Sequence, residues 1–215
     1  MRPEMETHAL LRIAGADTLL GETPLPAWVS AELQRAPWVV VRRTHMHDGL
    51  IPVGVRGRAR AERCAAWLRP SAVLESLNPL QLAARRDWHD HPRRDEVAAL
   101  AAMNIVEAIM RRQGLASRWG PGGSLGFEFA SGCATATQRS DVDLIVHVDQ
   151  PMSIGDATAL LTGLAQLAVQ ADVLLEMWHG AMALAEYARA RPPFLLRTLD
   201  GPRLVEEPWA SVAAA

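Results

Sequence analysis

"RSDVDLIVHV" (residues 139–148) sets two aspartates, Asp141 and Asp143, at the mouth of a run of β-branched and apolar residues. The run reads as a buried strand. Alternation then puts Asp141 and Asp143 on one face and Val142 and Leu144 on the other. Two carboxylates about 6 to 7 Å apart on one face repel each other unless a cation sits between them. The pair is therefore a candidate divalent-metal site, and Mg²⁺ is the expected cofactor.

Working outward, "EVAALAAMNIVEAIMRRQG" (96–114) reads as a helix with Val97, Leu100, Ala101, Asn104, Ile105, Ala108 and Ile109 on its apolar stripe, closed by Arg111, Arg112 and Gly114. "SRWGPGGSLGFEFASG" (117–132) is too glycine-rich for regular structure throughout and predicts a strand end and a turn. In that turn Gly122, Gly123 and Ser124 offer backbone amides and a hydroxyl to phosphate. Downstream, "SIGDATALLTGLAQLAVQ" (153–170) predicts a helix opened by a capping pair, Ser153 and Asp156. "DVLLEMW" (172–178) predicts a strand and "AMALAEYARA" (181–190) a final helix, with the tail "SVAAA" frayed.

The upstream half has a different character. "PWVVVRRT" (37–44) and "GLIPVGVRG" (49–57) predict a hairpin through the Asp-Gly of "HMHDG", with Pro52 marking the second strand as an edge. "AERCAAWL" (61–68) predicts a short helix stopped by Pro70. The charged stretch "RRDWHDHPRRDE" (85–96) resembles a linker. The expected organisation is α+β: a small Arg-rich α+β module over 1–93, then a domain over 94–215 with a mixed sheet flanked by helices.

Composition sets the outer bounds. The 215 residues are 49% hydrophobic, enough for one sizeable core or two small ones. Residues 1–95 hold 14 arginines against 11 acids, a net of +3; residues 96–215 hold 8 against 13, a net of −5. Lysine is absent, so anionic ligands must be met by arginine, backbone amides or metal. No basic stripe of the nucleic-acid-binding kind is present, and no apolar run is long enough for a membrane span. Cys64 and Cys133 lie far apart and suggest neither a disulfide framework nor a zinc site. No nucleic acid, no membrane and a cytoplasmic location are the expectations.

A Gly-Ser turn feeding a strand that begins Asp-x-Asp resembles the nucleotidyltransferase superfamily. That resemblance implies that Gly123 and Ser124 bind a triphosphate and that Asp141 and Asp143 bind metal. A third acid on the next strand would complete the metal set: Asp172, favoured because it starts its strand as Asp141 does, or Glu176. Arg118 and Arg139 flank the motif and are candidates for the triphosphate. Ser124 precedes Asp141 by 17 positions. This separation is longer than in compact members, so "LGFEFASGCATATQ" is expected to form an enlarged loop or hairpin.

"WGPGGSLGFEFASG" followed by "SDVDL" resembles one family within that superfamily, the phosphoribosyl-dephospho-CoA transferases, or malonate decarboxylase holo-acyl-carrier-protein synthases. "VVVRR", "IPVGVRG", "RCAAWL", "ADVLLE", "ALAEYAR" and "LLRTLDGPRLVEEPW" extend the resemblance over nearly the whole chain. Gly122 stands where the family has a small polar residue. The resemblance implies transfer of phosphoribosyl-dephospho-CoA from 2′-(5″-triphosphoribosyl)-3′-dephospho-CoA to a serine of the apo acyl carrier protein of malonate decarboxylase, with loss of pyrophosphate. Asp141 and Asp143 would be its catalytic acids.

Two rival functions stay open: nucleotide transfer to some other small-molecule or protein hydroxyl, and a non-catalytic binding protein on the same fold. Arg42, Arg43, Arg56, Arg58, Arg60 and Arg63 surround the first hairpin, either as a solvated edge or as a docking surface for an acidic partner. The histidine pairs of "HMHDG" and "WHDHP" read as solvated loop residues, and His147 as a solvated strand end. The scattered tryptophans read as core and interface anchors.

Overall fold

A computed structural model describes residues 6–59 and 61–210. Arg60 and the SVAAA tail, both subjects of expectations above, lie outside the described residues. The chain is α+β and divides into two compact units: residues 1–78 with 130–133, and residues 79–129 with 134–215.

The first unit is a six-stranded sheet backed by one helix. In chain order its elements are β1 (Leu10–Arg12), β2 (Leu19–Leu20), α1 (Ala27–Arg35), β3 (Trp38–Val41), β4 (Ile51–Arg56), β5 (Arg63–Leu68) and β6 (Glu75–Leu77). The spatial order is β2-β5-β4-β3-β1-β6, antiparallel throughout. One face carries Leu11, Val39, Val41, Val53, Val55, Ala66 and Leu68, which pack with Val29 and Leu33 of α1 into a dry core.

The predicted hairpin forms between β3 and β4, with Val41 opposite Val53. Asp48 and Gly49 both have positive φ (49° and 73°), and Leu50 N donates to His47 O at 2.8 Å. Positive φ at both central residues is the mirror-type turn that suits strand twist.

Two readings of this half are corrected. Pro52 lies in a central strand: β4 runs between β3 and β5. Its carbonyl accepts from Arg42 N, so the missing N–H would face Arg42 O, one residue beyond the end of β3, and that carbonyl accepts instead from Thr44 N at 3.1 Å. Residues 63–68 form a strand, not a helix. Every residue of β5 pairs with β4, from Arg56↔Arg63 to Ile51↔Leu68. That ladder overrides the intrinsic helical preference of the alanines, a local bias that tertiary pairing routinely outweighs.

The second unit begins with α2 (Pro79–Arg85) and α3 (Ala98–Arg112). There follow β7 (Trp119–Pro121), α4 (Gly123–Ser131), β8 (Val142–His147), α5 (Ile154–Leu164), β9 (Ala171–Met177), β10 (Gly180–Ala183), α6 (Leu184–Tyr187), β11 (Phe194–Thr198) and β12 (Gly201–Val205). Its sheet runs β12-β11-β10-β9-β8-β7. Only β8 and β9 are parallel; their connection through α5 supplies the crossover that parallel neighbours require. Leu144, Ile145 and Val146 are all buried, so both faces of β8 are covered.

The boundary expected near residue 93 falls between Asn78 and Pro79. The stretch read as a linker belongs to the second core. α2 packs on β7, and Trp88 is buried with its ring 5.7 Å from Trp119 and 5.9 Å from Phe129. Of the histidines of "WHDHP", His89 is exposed as expected but lies 3.0 Å from Glu107, whereas His91 is largely withdrawn from solvent and lies 3.5 Å from Glu128. Trp178, by contrast, is 76% exposed in the turn between β9 and β10 and anchors no core.

Four further expectations are adjusted. α3 forms, and Val97, Leu100 and Ile109 of the predicted stripe are buried, but Ala101, Ile105 and Ala108 are exposed while Ala99, Ala102, Met103, Val106 and Met110 are buried, so the buried face is rotated from the predicted one. α5 ends at Leu164, short of residue 170, while its Ser153–Asp156 cap is as expected: Asp156 N donates to Ser153 Oγ at 3.0 Å. Residues 180–183 form β10, because Ala181 lies between β9 and β11, and only 184–187 remain helical. "LGFEFAS" is helix α4, not a loop. Leu125 and Phe129 bury one helical face, and Gly126 admits Pro121 O, 2.7 Å from where a Cβ would sit.

Gly120 marks the tightest approach of β7 to α2. A Cβ there would lie 1.8 Å from Pro79 O, a backbone atom that cannot rotate away. Gly120→Ala is expected to destabilise the unit by about 1–3 kcal/mol, the usual cost of overpacking. A thermal melt unchanged from wild type would refute that packing. Among the described residues no helix is long and apolar enough to cross a membrane.

Candidate active site

The acidic strand and the glycine turn meet. Pro121 of β7 pairs with Leu144 of β8, and Gly122 N donates to Asp143 O at 2.8 Å. Immediately afterwards the chain turns into α4 at Gly123, with φ of +53°. A Cβ on Gly123 would stand 1.8 Å from Asp143 Oδ2 and 2.6 Å from Cγ. Glycine is thus required twice here, once for the left-handed backbone and once because the carboxylate fills the space.

The N-terminus of α4 consequently abuts the Asp143 carboxylate. The first amides of a helix have no partner within it and carry a partial positive charge, which suits phosphate oxygens. Ser124 sits in this first turn. Its Oγ donates to Ser140 Oγ at 3.3 Å, and its carbonyl accepts from Thr135 Oγ1 at 2.9 Å. Ser140 in turn precedes Asp141, which is exposed one residue before β8.

The parallel register brings in the third acid. Asp143 is the Cα partner of Asp172 across the β8–β9 ladder, so both carboxylates project from the same sheet face, with strands about 4.8 Å apart. Gln170 Nε2 donates to Asp172 Oδ1 at 2.9 Å. Glu176, the alternative, pairs with His147 four residues further along, about 13 Å from the Asp143 level. The sheet therefore favours Asp172. In chemistry these donors fit a hard divalent cation, being anionic and all oxygen. Among the described residues, however, no three His, Cys, Asp or Glu side chains converge as a ready-made metal cage.

The flanking arginines separate. Arg139 is exposed two residues before Asp141. Arg118 is at the opposite end of β8: its carbonyl accepts from His147 N, and its guanidinium holds Asp149 at 2.6 Å. The structure does not bring Arg118 to the aspartates. In the first unit Arg42, Arg56 and Arg63 are exposed, Arg56 and Arg63 being direct cross-strand partners, while Arg58 is bonded to Glu32 at 3.1 Å.

Sequence reasoning missed Glu128 and Arg93. Glu128 is 2% exposed on α4, and Arg93 NH1 grips both its oxygens at 2.7 and 2.9 Å. The available signal was a lone carboxylate between Phe127 and Phe129, on a segment expected to be a loop.

Comparison with known proteins agrees with the two-unit division. A family model described as the phosphoribosyl-dephospho-CoA transferase MdcG N-terminal domain matches residues 6–79, and the corresponding C-terminal domain model matches residues 79–208. A phosphoribosyl-dephospho-CoA transferase of Azotobacter vinelandii is 36% identical over 213 residues, 97% of this chain and 96% of the relative. One from Pseudomonas syringae is 40% identical over 186 residues, 86% of this chain and 84% of the relative. Another from Pseudomonas aeruginosa is 36% identical over 199 residues, 90% of this chain and 92% of the relative. No solved structure matches the chain. These matches make the chain an enzyme of the group-transfer class, a transferase. It belongs to the phosphoribosyl-dephospho-CoA transferase family, in both of its units.

Proposed function

We propose that the chain transfers phosphoribosyl-dephospho-CoA from its 5″-triphosphate donor to a serine of the apo acyl carrier protein of malonate decarboxylase, releasing pyrophosphate. The observation that carries this reading is the seating of Asp143 against Gly123 at the start of α4. A carboxylate and a helix N-terminus side by side supply two needs of phosphoryl-type transfer. One is an acceptor for the nucleophile's proton; the other is a set of donors for phosphate oxygens.

In the step itself the serine oxygen bonds to the phosphorus nearest the ribose, and the bond from that phosphorus to the bridging oxygen of the leaving diphosphate breaks. The serine proton passes to a carboxylate of Asp141 or Asp143. The amides of Gly123 and Ser124, the Ser124 hydroxyl and the Arg139 guanidinium hold the triphosphate. Asp141 and Asp143, with Asp172 beside them, would hold Mg²⁺. Bound there, it would lower the pKa of the attacking hydroxyl and neutralise charge on the leaving diphosphate. The exposed Arg42, Arg56 and Arg63 of the first unit offer positive charge to an acidic carrier protein.

Intact-mass analysis tests the reading. The apo carrier protein is incubated with this chain, the triphosphoribosyl donor and Mg²⁺, and its serine is expected to gain one phosphoribosyl-dephospho-CoA. An unmodified carrier, or one that gains AMP from ATP instead, would sink it; the AMP adduct would point to a more general nucleotidyl transfer.

A further inference from the structure

A buried carboxylate outside the aspartate set bears on the same site. Glu128 lies on the face of α4 that also buries Leu125 and Phe129, where a leucine would pack without loss of hydration. Burying an ion costs several kcal/mol unless its partners replace water, and an apolar substitute is often no less stable. Glu128 is nevertheless fully engaged. Besides the two contacts to Arg93, its Oε2 accepts from Thr135 N and Ala136 N, each at 2.8 Å. Arg93 NH2 also donates to Ala136 O at 2.9 Å, so carboxylate and guanidinium together hold residues 135–136.

What they hold leads to the site. Thr135 Oγ1 bonds the Ser124 carbonyl. Thr137 N donates to Ser140 Oγ at 2.9 Å, and the same Oγ accepts from Ser124 Oγ. The segment between α4 and β8 is thereby fastened at one end to the Gly-Ser turn and at the other to the residue that precedes Asp141. Leucine at 128 could fill the space but could not accept the two amides.

We infer that Glu128 and Arg93 are positioning residues: the pair fixes the 135–140 segment and thereby sets Ser124 and Asp141 relative to each other. This rests on the transfer reaction proposed above. A displacement of about 1 Å in a reacting group can cost on the order of 10²-fold in rate.

The test uses the full chain as Glu128→Gln and as the double variant Glu128→Leu/Arg93→Met, with thermal melts, amide hydrogen exchange and transfer kinetics. The expected result is loss of exchange protection confined to residues 123–126 and 134–141, with a kcat lower by roughly 10- to 100-fold. The KM for carrier protein should stay within about twofold, since uniform binding is untouched. The double variant fills the space but leaves the Thr135 and Ala136 amides without their acceptor, so it should melt cooperatively at a temperature somewhat below wild type. A low kcat that persists well below that melt, with KM unchanged, separates positioning from stability. Wild-type kcat in either variant, or protection lost throughout the unit, overturns the inference. Exchange does not depend on turnover. A wild-type chain that transfers nothing therefore refutes the reaction, while the exchange pattern still decides whether Glu128 orders this segment.

Discussion

Asp143→Asn is expected to lower transfer by at least about 10²–10³-fold, the loss typical of removing one preorganised charge-stabilising group, while the chain keeps a cooperative melt at a nearly unchanged temperature. The small size of the stability change follows from two opposed effects: the N-terminus of α4 beside Asp143 favours its charge, and the sheet disfavours it. Asp143 stands beside Asp172 on the neighbouring parallel strand. Like charges directly opposite are destabilising, by roughly 0.2–1 kcal/mol at the scale of cross-strand pairs. The amide removes that repulsion at constant volume, and it also removes a proton acceptor and half of the paired charge a cation would bind. Asp141→Asn should lose activity likewise, with less effect on the melt, because Asp141 is exposed ahead of the strand. Pyrophosphate release and intact-mass transfer read the first effect, and calorimetry the second. Transfer at the wild-type rate would remove both aspartates from the mechanism. A melt that fell by many degrees would make Asp143 a structural residue.

Gly123→Ala should be nearly as damaging, for a steric reason. Alanine at φ of +53° costs about 1–2 kcal/mol in backbone energy. Its methyl would also occupy space now held by Asp143 Oδ2, at 1.8 Å. The carboxylate must rotate off its present position or the start of α4 must withdraw from β8. Either movement separates the helix N-terminus from the aspartate, and a loss on the order of 10²-fold in kcat is expected. Gly122→Ala is the internal comparison. Its Cβ would meet Ile145 and Asp143 at 3.5 to 3.7 Å, ordinary contact, and at most a several-fold effect is expected. Equal loss in the two variants would mean that turn flexibility matters and the Gly123–Asp143 contact does not.

Much of this was legible in residue order, and the exceptions share a cause. Ser153 and Asp156, the Asp48-Gly49 turn and the apolar run of β8 are local signals, each satisfied within a few residues, and each forms as read. The predicted helices at 61–68 and 181–183 and the predicted loop at 125–131 went the other way. Alanine-rich segments became strands because partner strands on hand supplied a ladder. A glycine-rich segment became a helix because its apolar side chains found a core. Pro52 misled in the same manner: whether a missing N–H matters depends on where the neighbouring strand ends.

The site divides along the same line. The sequence by itself determined the candidate groups: two aspartates at period two on a strand, a Gly-Ser turn ahead of them, and a third acid at the start of a later strand. Those are residue types and local spacings, fixed by alternation and turn preference. Only the tertiary structure decided which groups meet. Parallel register set Asp172, and not Glu176, beside Asp143, the antiparallel pairing of β7 with β8 carried Arg118 away from the aspartates, and the fold of α4 buried Glu128 where Arg93 could reach it. Register and burial depend on contacts between residues far apart in the chain, and no local pattern in the sequence encodes them.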